Sequence, residues 1–238
     1  FLPFARKTIL DAEDAVQRLN DLQHVKVGTL RVGVTYSLST VLTEGLICFM
    51  KEFPGIKLEI FYKTVDELLT LLRERKVDFI LSYKPLCDAP DIESMPLFEN
   101  ALALVVSKEN HLAKHNKVKL EELEGLPMIL PSKGLQARMM LDRLIEGRDI
   151  KLTSKLELNE TNILLQMVAT GNYATILSTS ALFGKTRFKA IPLDEPGNTM
   201  EASLLSLKGT YQKASAKEFV KILLNTEAVK RRLMDMFE

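Results

Sequence analysis

Thr35 and Ser37 stand two positions apart where an alternating apolar stretch, Leu30 to Val34, gives way to a helical pattern. Two hydroxyls and the free backbone N–H groups of a helix start offer donors and acceptors at one point. That combination suits a small anion or polar metabolite. It calls for binding rather than bond-making, because the motifs that activate a nucleophile are missing. The chain has no Gly-x-Ser-x-Gly, no P-loop and no Gly-x-Gly-x-x-Gly. His111 and His115 have the i, i+4 spacing of a helical metal pair, but no third ligand or HExxH motif accompanies them. They read as part of an exposed connection. Cys48 and Cys87 show neither metal nor redox spacing and read as inert thiols. No metal and no cofactor is expected.

The elements that must hold these hydroxyls follow from periodicity. After Ser37 a helix carries Val41, Leu42, Leu46, Phe49, Met50 and Phe53 on one face, and Pro54-Gly55 ends it. Ile56 to Phe61 is the next strand. Val65, Leu68, Leu69 and Leu72 then mark a second helix with Asp66 and Glu67 in its first turn, as the helix dipole prefers. Val77 to Ser82 reads as a strand buried on both faces. A second series opens with a strand from Ala101 to Val106. It continues with Met128 to Pro131 ahead of Ser132-Lys133-Gly134, then a Met- and Leu-rich helix and a strand near Leu156 to Leu158. A helix with Ile163, Leu164, Met167 and Val168 follows, then strands from Ala174 to Ser178 and from Lys189 to Leu193. The last strand, Ala202 to Leu207, precedes two helices through Phe219, Val220, Leu223, Val229 and Leu233. Alternation of strand and helix in two similar series predicts two α/β lobes with a cleft where Ser- and Thr-tipped strand ends meet. Ahead of all this, Leu2, Ala5, Ile9, Ala12, Val16 and Leu19 repeat at 3-4-3-4-3 spacing. That is an a/d seam for helix–helix dimerisation.

Composition sets limits on partners. The 238 residues carry 32 basic and 31 acidic side chains, a net charge of +1. Phosphate neutralisation supplies most nucleic-acid affinity, so a balanced chain is not expected to grip DNA by itself. No run approaches the ~18 apolar residues of a membrane span. The first residues lack a basic start followed by an apolar core, so no signal peptide is read there. With two unpaired-looking cysteines, this predicts a cytoplasmic protein that does not engage a membrane.

Phe4-Ala5-Arg6, Gly28-Thr29-Leu30-Arg31-Val32-Gly33, Phe49 to Ile56, Val77 to Leu81, Leu104 to Ala113, and Met167-Val168-Ala169-Thr170-Gly171 together resemble the effector-binding region of a LysR-type transcriptional regulator. The likeness runs over essentially the whole chain. It implies two Rossmann-like lobes joined by two crossover strands, as in the type 2 periplasmic-binding-protein fold. Lobe I would hold residues 27–100 and 205–238, and lobe II residues 101–204, behind a linker helix at 1–26. It also implies a winged helix-turn-helix upstream, so that DNA is met only through a domain outside this chain. Pairing into dimers and tetramers is implied too, partly through the helix from Val41 to Phe53, with RNA polymerase as a further partner.

By position, the resemblance assigns a small-molecule effector to Ser37, Leu38, Thr64, Ser82 and Tyr83 in one lobe. In the other it assigns Pro131, Ser132, Lys133, Thr161 and Ser178. Tyr83 stands where some relatives carry a ligand-binding arginine. Ser37 and Thr64 also fit simple helix N-caps. Lys133 is the obvious cation on a cleft loop, which would favour an anionic effector. An exported solute-binding protein is the second reading, although the seam at the N-terminus has no place in it. An enzyme on the same fold is the third.

Overall fold

The computed structural model describes residues 27–86, 89–227, 229 and 230, together with scattered positions between residues 1 and 19. Its first sheet has the strand order β2-β1-β3-β10-β4. The members are β1 (Gly28–Val34), β2 (Ile56–Tyr62), β3 (Phe79–Tyr83), β4 (Ile92–Asn100) and β10 (Met200–Leu207). The first three are mutually parallel, and β10 runs antiparallel to β3 and β4. Helix α1 (Ser39–Glu52) links β1 to β2, and α2 (Val65–Arg73) leads into β3.

The second half repeats this plan. Strands β6 (Met128–Pro131) and β7 (Ser154–Leu158) are parallel, and β5 (Leu102–Ser107) lies between β8 (Thr175–Ser178) and β9 (Phe188–Pro192). A parallel bridge from Met128 to Ala174 joins the two groups, giving the order β7-β6-β8-β5-β9. Helices α3 (Gln136–Ile145) and α4 (Thr161–Val168) take the places of α1 and α2. In each lobe, therefore, three parallel strands wound through two helices are followed by one antiparallel strand from the crossover and an outer edge strand.

The chain returns to the first lobe late. Helix α5 (Ala214–Asn225) packs on α1, with Phe219 fully buried and its ring 5.2 Å from Phe49 and 5.7 Å from Phe79. Gly45 lets the helices approach, since a Cβ there would lie 3.1 Å from Leu223 Cδ1. On the opposite sheet face Val65, Leu68, Leu69 and Leu72 of α2 meet Ile80, Ile92 and Leu205. The crossovers are stitched by Asn198, whose amide donates to Leu102 O at 2.9 Å and accepts from Leu102 N at 2.8 Å.

Several expectations shift. The strand read as Val77 to Ser82 begins at Phe79, and Asp78 instead accepts from Arg31 N at 2.8 Å and from Lys213 Nζ at 2.9 Å. Strand β4 escaped sequence reading because Pro96 interrupts it. It is tolerated because β4 is an edge strand, and the β10 register skips a residue opposite it, Ala202 facing Phe98 and Ser203 facing Pro96. The last strand joins the first sheet from Met200, five residues before the expected boundary at 205. Met50 and Ile163, placed on core faces, are 61% and 49% exposed; Gly45 and Leu165 fill those faces instead. Of the N-terminal seam, Leu2, Ile9, Val16 and Leu19 are exposed, so that face does not pack on this chain's own lobes. Cys48 is exposed; Cys87 and Leu233 lie outside the described residues.

Candidate functional site

The two lobes meet at the C-terminal ends of their parallel strands. Thr35, Tyr36 and Ser37 follow β1, and Lys63 and Thr64 follow β2. From the facing lobe come Pro131, Gly134, Leu135 and Gln136 around the start of α3, then Thr161 at the start of α4 and Leu177 of β8. Gly134 turns the chain with φ at +88°, a conformation open to glycine and strained for other residues. The space between these walls is only about 20 Å³, room for roughly one water. The lobes are closed.

One hydroxyl in this cleft is unsatisfied. Thr35 is 5% exposed and its Oγ1 has no hydrogen-bond partner. Three buried hydroxyls share that condition among the described residues (Thr35, Ser94 and Thr175), and Thr35 is the one lining this cleft. Burying a hydroxyl without a partner costs about 1–3 kcal/mol, so the site holds unspent hydrogen-bonding capacity.

Closure is held by polar contacts between lobes. The Gln136 side chain grips the Tyr83 backbone, accepting from its N–H at 3.2 Å and donating to its C=O at 2.7 Å. Ser180 Oγ lies 3.1 Å from Ser37 O, 2.5 Å from Tyr83 Oη and 3.0 Å from Ser178 Oγ. A carbonyl can only accept, and a hydroxyl has one proton to give. Ser180 therefore donates to Ser37 O, while Tyr83 and Ser178 both donate to Ser180. Tyr83 Oη in turn accepts from Asn100 Nδ2 at 3.1 Å. The chain Asn100 to Tyr83 to Ser180 to Ser37 thus runs from the hinge across both lobes with every proton assigned. Thr40 Oγ1 adds a bond to Ser180 O at 3.1 Å.

Of the residues assigned by position, Ser37, Thr64, Pro131 and Thr161 come together at the cleft. Leu38 does not; it is fully buried in the core of lobe I. Ser82 is also fully buried, with its Oγ donating to Tyr83 O at 3.0 Å. Ser178 is buried and spent on Ser180, and Tyr83 faces a neighbouring cavity rather than this one. Ser132 holds the β6–α3 turn through bonds to Leu158 and Leu135, and Lys133 is exposed outside the lining. The cation at the cleft is Lys63, 3.3 Å from Glu67. Ser37 is no N-cap, because residues Tyr36–Leu38 form a 3-10 turn and α1 begins at Ser39.

Thr64 does cap α2. It forms a reciprocal capping box with Glu67, and the Thr64 N–H, the Thr64 hydroxyl and Lys63 hold that carboxyl below its ordinary range. Sequence reading missed Gln136 and Ser180, which carry no motif. Thr35 had a signal, its place beside Ser37, but only burial reveals its missing partner. The lining offers hydroxyls, an amide and one paired cation, groups that can exchange hydrogen bonds with a polar molecule. Among the described residues no group of His, Cys, Asp and Glu could hold a metal ion.

Two lobes of identical winding around such a cleft define a binding domain of the type 2 periplasmic-binding-protein kind. The chain belongs to the LysR substrate binding domain family, whose model matches residues 23–228. It is similar to the HTH-type transcriptional activator CmpR of Synechocystis sp., with 27% identity over 179 residues, 75% of this chain and 59% of that protein. The HTH-type transcriptional regulator cbl of Escherichia coli is 23% identical over 239 residues, 97% of this chain and 75% of that one. Among solved structures, the effector binding domain of QuiR in complex with shikimate superposes with a TM-score of 0.70 at 21% identity, covering 88% and 99% of the two chains. The Synechocystis CcmR regulatory domain in complex with 2-PG superposes with a TM-score of 0.74 at 19% identity, covering 83% and 96%. Those likenesses show the fold. No helix among the described residues is long and apolar enough to cross a membrane.

Proposed function

We propose that this chain is the effector-sensing and oligomerisation region of a LysR-type transcriptional regulator, and that a small polar metabolite binds between its lobes. The observation that carries the reading is the partnerless, buried hydroxyl of Thr35 beside Ser37, Thr64 and Thr161. A guest with hydroxyl or carboxylate groups satisfies it. The cleft is too small for such a guest as it stands, so entry separates the lobes and breaks the Gln136 and Ser180 contacts. Binding then shifts the interlobe equilibrium by the difference in affinity between the two arrangements.

The family and the regulators among the relatives favour this over a transporter's solute-binding protein. In this reading the chain is no enzyme and works in the cytoplasm. Lobe I comprises residues 27–100 and 200–230, and lobe II residues 101–199. The exposed seam of Leu2, Ile9, Val16 and Leu19 pairs with a second copy, as does the outer face of α1 at Ile47 and Met50. DNA, and RNA polymerase, are met through the assembled full-length protein.

The test is thermal stabilisation across a panel of small acids and sugars that includes shikimate and 2-PG. It is repeated with Ser37→Ala and Thr35→Val. Both substitutions are expected to erase the shift caused by a hit. If both variants keep the full shift, the effector binds elsewhere.

A further inference from the structure

Gln136 divides the space between the lobes, and on its far side lies a second cavity of about 220 Å³. We propose that this cavity is a separate binding site for a small carboxylate with an apolar body. Its walls come from both lobes. Pro85 and Leu86 follow β3 on one side, and Met139, Met140 and Met200 supply flexible thioethers on the other sides. An apolar cavity of about 150 Å³ already admits benzene, so this one accommodates a single ring with a short acidic arm.

The charge follows from the cations at the opening. Lys84 and Arg143 line the cavity from opposite lobes, and among the described residues neither has an ion-pair partner. Arg138, on the same helix as Arg143, is by contrast held by Asp142 and Glu157 at 2.8 Å each. Glu201 also lines the cavity and accepts from Ser203 Oγ at 3.0 Å, which leaves two cations to one carboxylate around the space. An anion seated between Lys84 and Arg143 bridges the lobes and favours the closed arrangement. The inference does not rest on the effector reading of the smaller cleft, since the two spaces share only Val65 and Gln136.

The probe is phenylacetate, with phenylacetamide as its neutral counterpart. The 238-residue chain is labelled with 13C-methyl methionine, and the Met139, Met140 and Met200 signals are assigned by single Met→Leu substitutions. Phenylacetate is expected to move the Met139 and Met140 signals saturably. Phenylacetamide, and the double variant Lys84→Gln with Arg143→Gln, are each expected to bind about tenfold more weakly or worse. Shifts absent from Met139 and Met140 overturn the site. Equal binding of the amide, or undiminished binding by the double variant, overturns its anionic ligand class.

Discussion

Gln136 of α3 and the Tyr83 backbone at the end of β3 are joined by both ends of one amide across the lobe interface. The same amide lines both a cleft with room for about one water and a cavity of about 220 Å³. It therefore ties the two lobes together where the two spaces adjoin.

Gln136→Leu keeps the volume and removes both bonds. It is expected to lower stability by about 1–3 kcal/mol, two ordinary hydrogen bonds. It should also open the lobes, seen as a larger radius of gyration in X-ray scattering and faster amide exchange at Tyr83. An unchanged radius would mean that the Ser180 contacts alone hold closure.

Thr35→Val replaces an unsatisfied hydroxyl by a methyl of the same shape. The ligand-free protein should become more stable by about 1 kcal/mol, because the stranded hydroxyl disappears. Urea denaturation reads this directly. A loss of stability would show that Thr35 Oγ1 has a partner in solution.

Thr64→Ala removes the cap of α2 and is expected to cost about 1 kcal/mol at neutral pH, with Thr64→Ser restoring most of it. Glu67 has a lowered pKa relative to its ordinary 4.5, through its bonds to Thr64 first and Lys63 after. The sign is that of any depressed carboxylate: the contribution is complete above pH 4.5 and fades as acid protonates the folded state. The gap between wild type and Thr64→Ala should thus narrow below that pH. A gap constant to pH 3 would exclude the carboxylate half of the box.

Phe219→Ala should cost about 3–5 kcal/mol, since its ring fills the junction of α1, α5 and the first sheet beside Phe49 and Phe79. The urea midpoint measures it. A cost under 1 kcal/mol would mean that α5 is not part of the lobe I core.

The chain's order of strands and helices was legible because each element advertises itself locally. Val65, Leu68, Leu69 and Leu72 keep helical spacing, Leu102 to Val106 is uniformly apolar, and Thr64 precedes its Glu by three residues. These are short-range features set by backbone periodicity and capping. Pro96 shows the limit of that logic, since only its edge position and the skipped register in β10 make it acceptable in β4. Tertiary structure alone decided the rest. Ser180 reaches Ser37 across 143 positions of sequence, and Gln136 reaches Tyr83 across 53. Leu38 lies four positions past the end of β1, and Ser82 and Ser178 lie within one position of their strand ends, yet all three are buried rather than lining the cleft. Which hydroxyl is left without a partner depends on every atom packed around it, and that sum is formed only when residues remote in the chain are brought into contact.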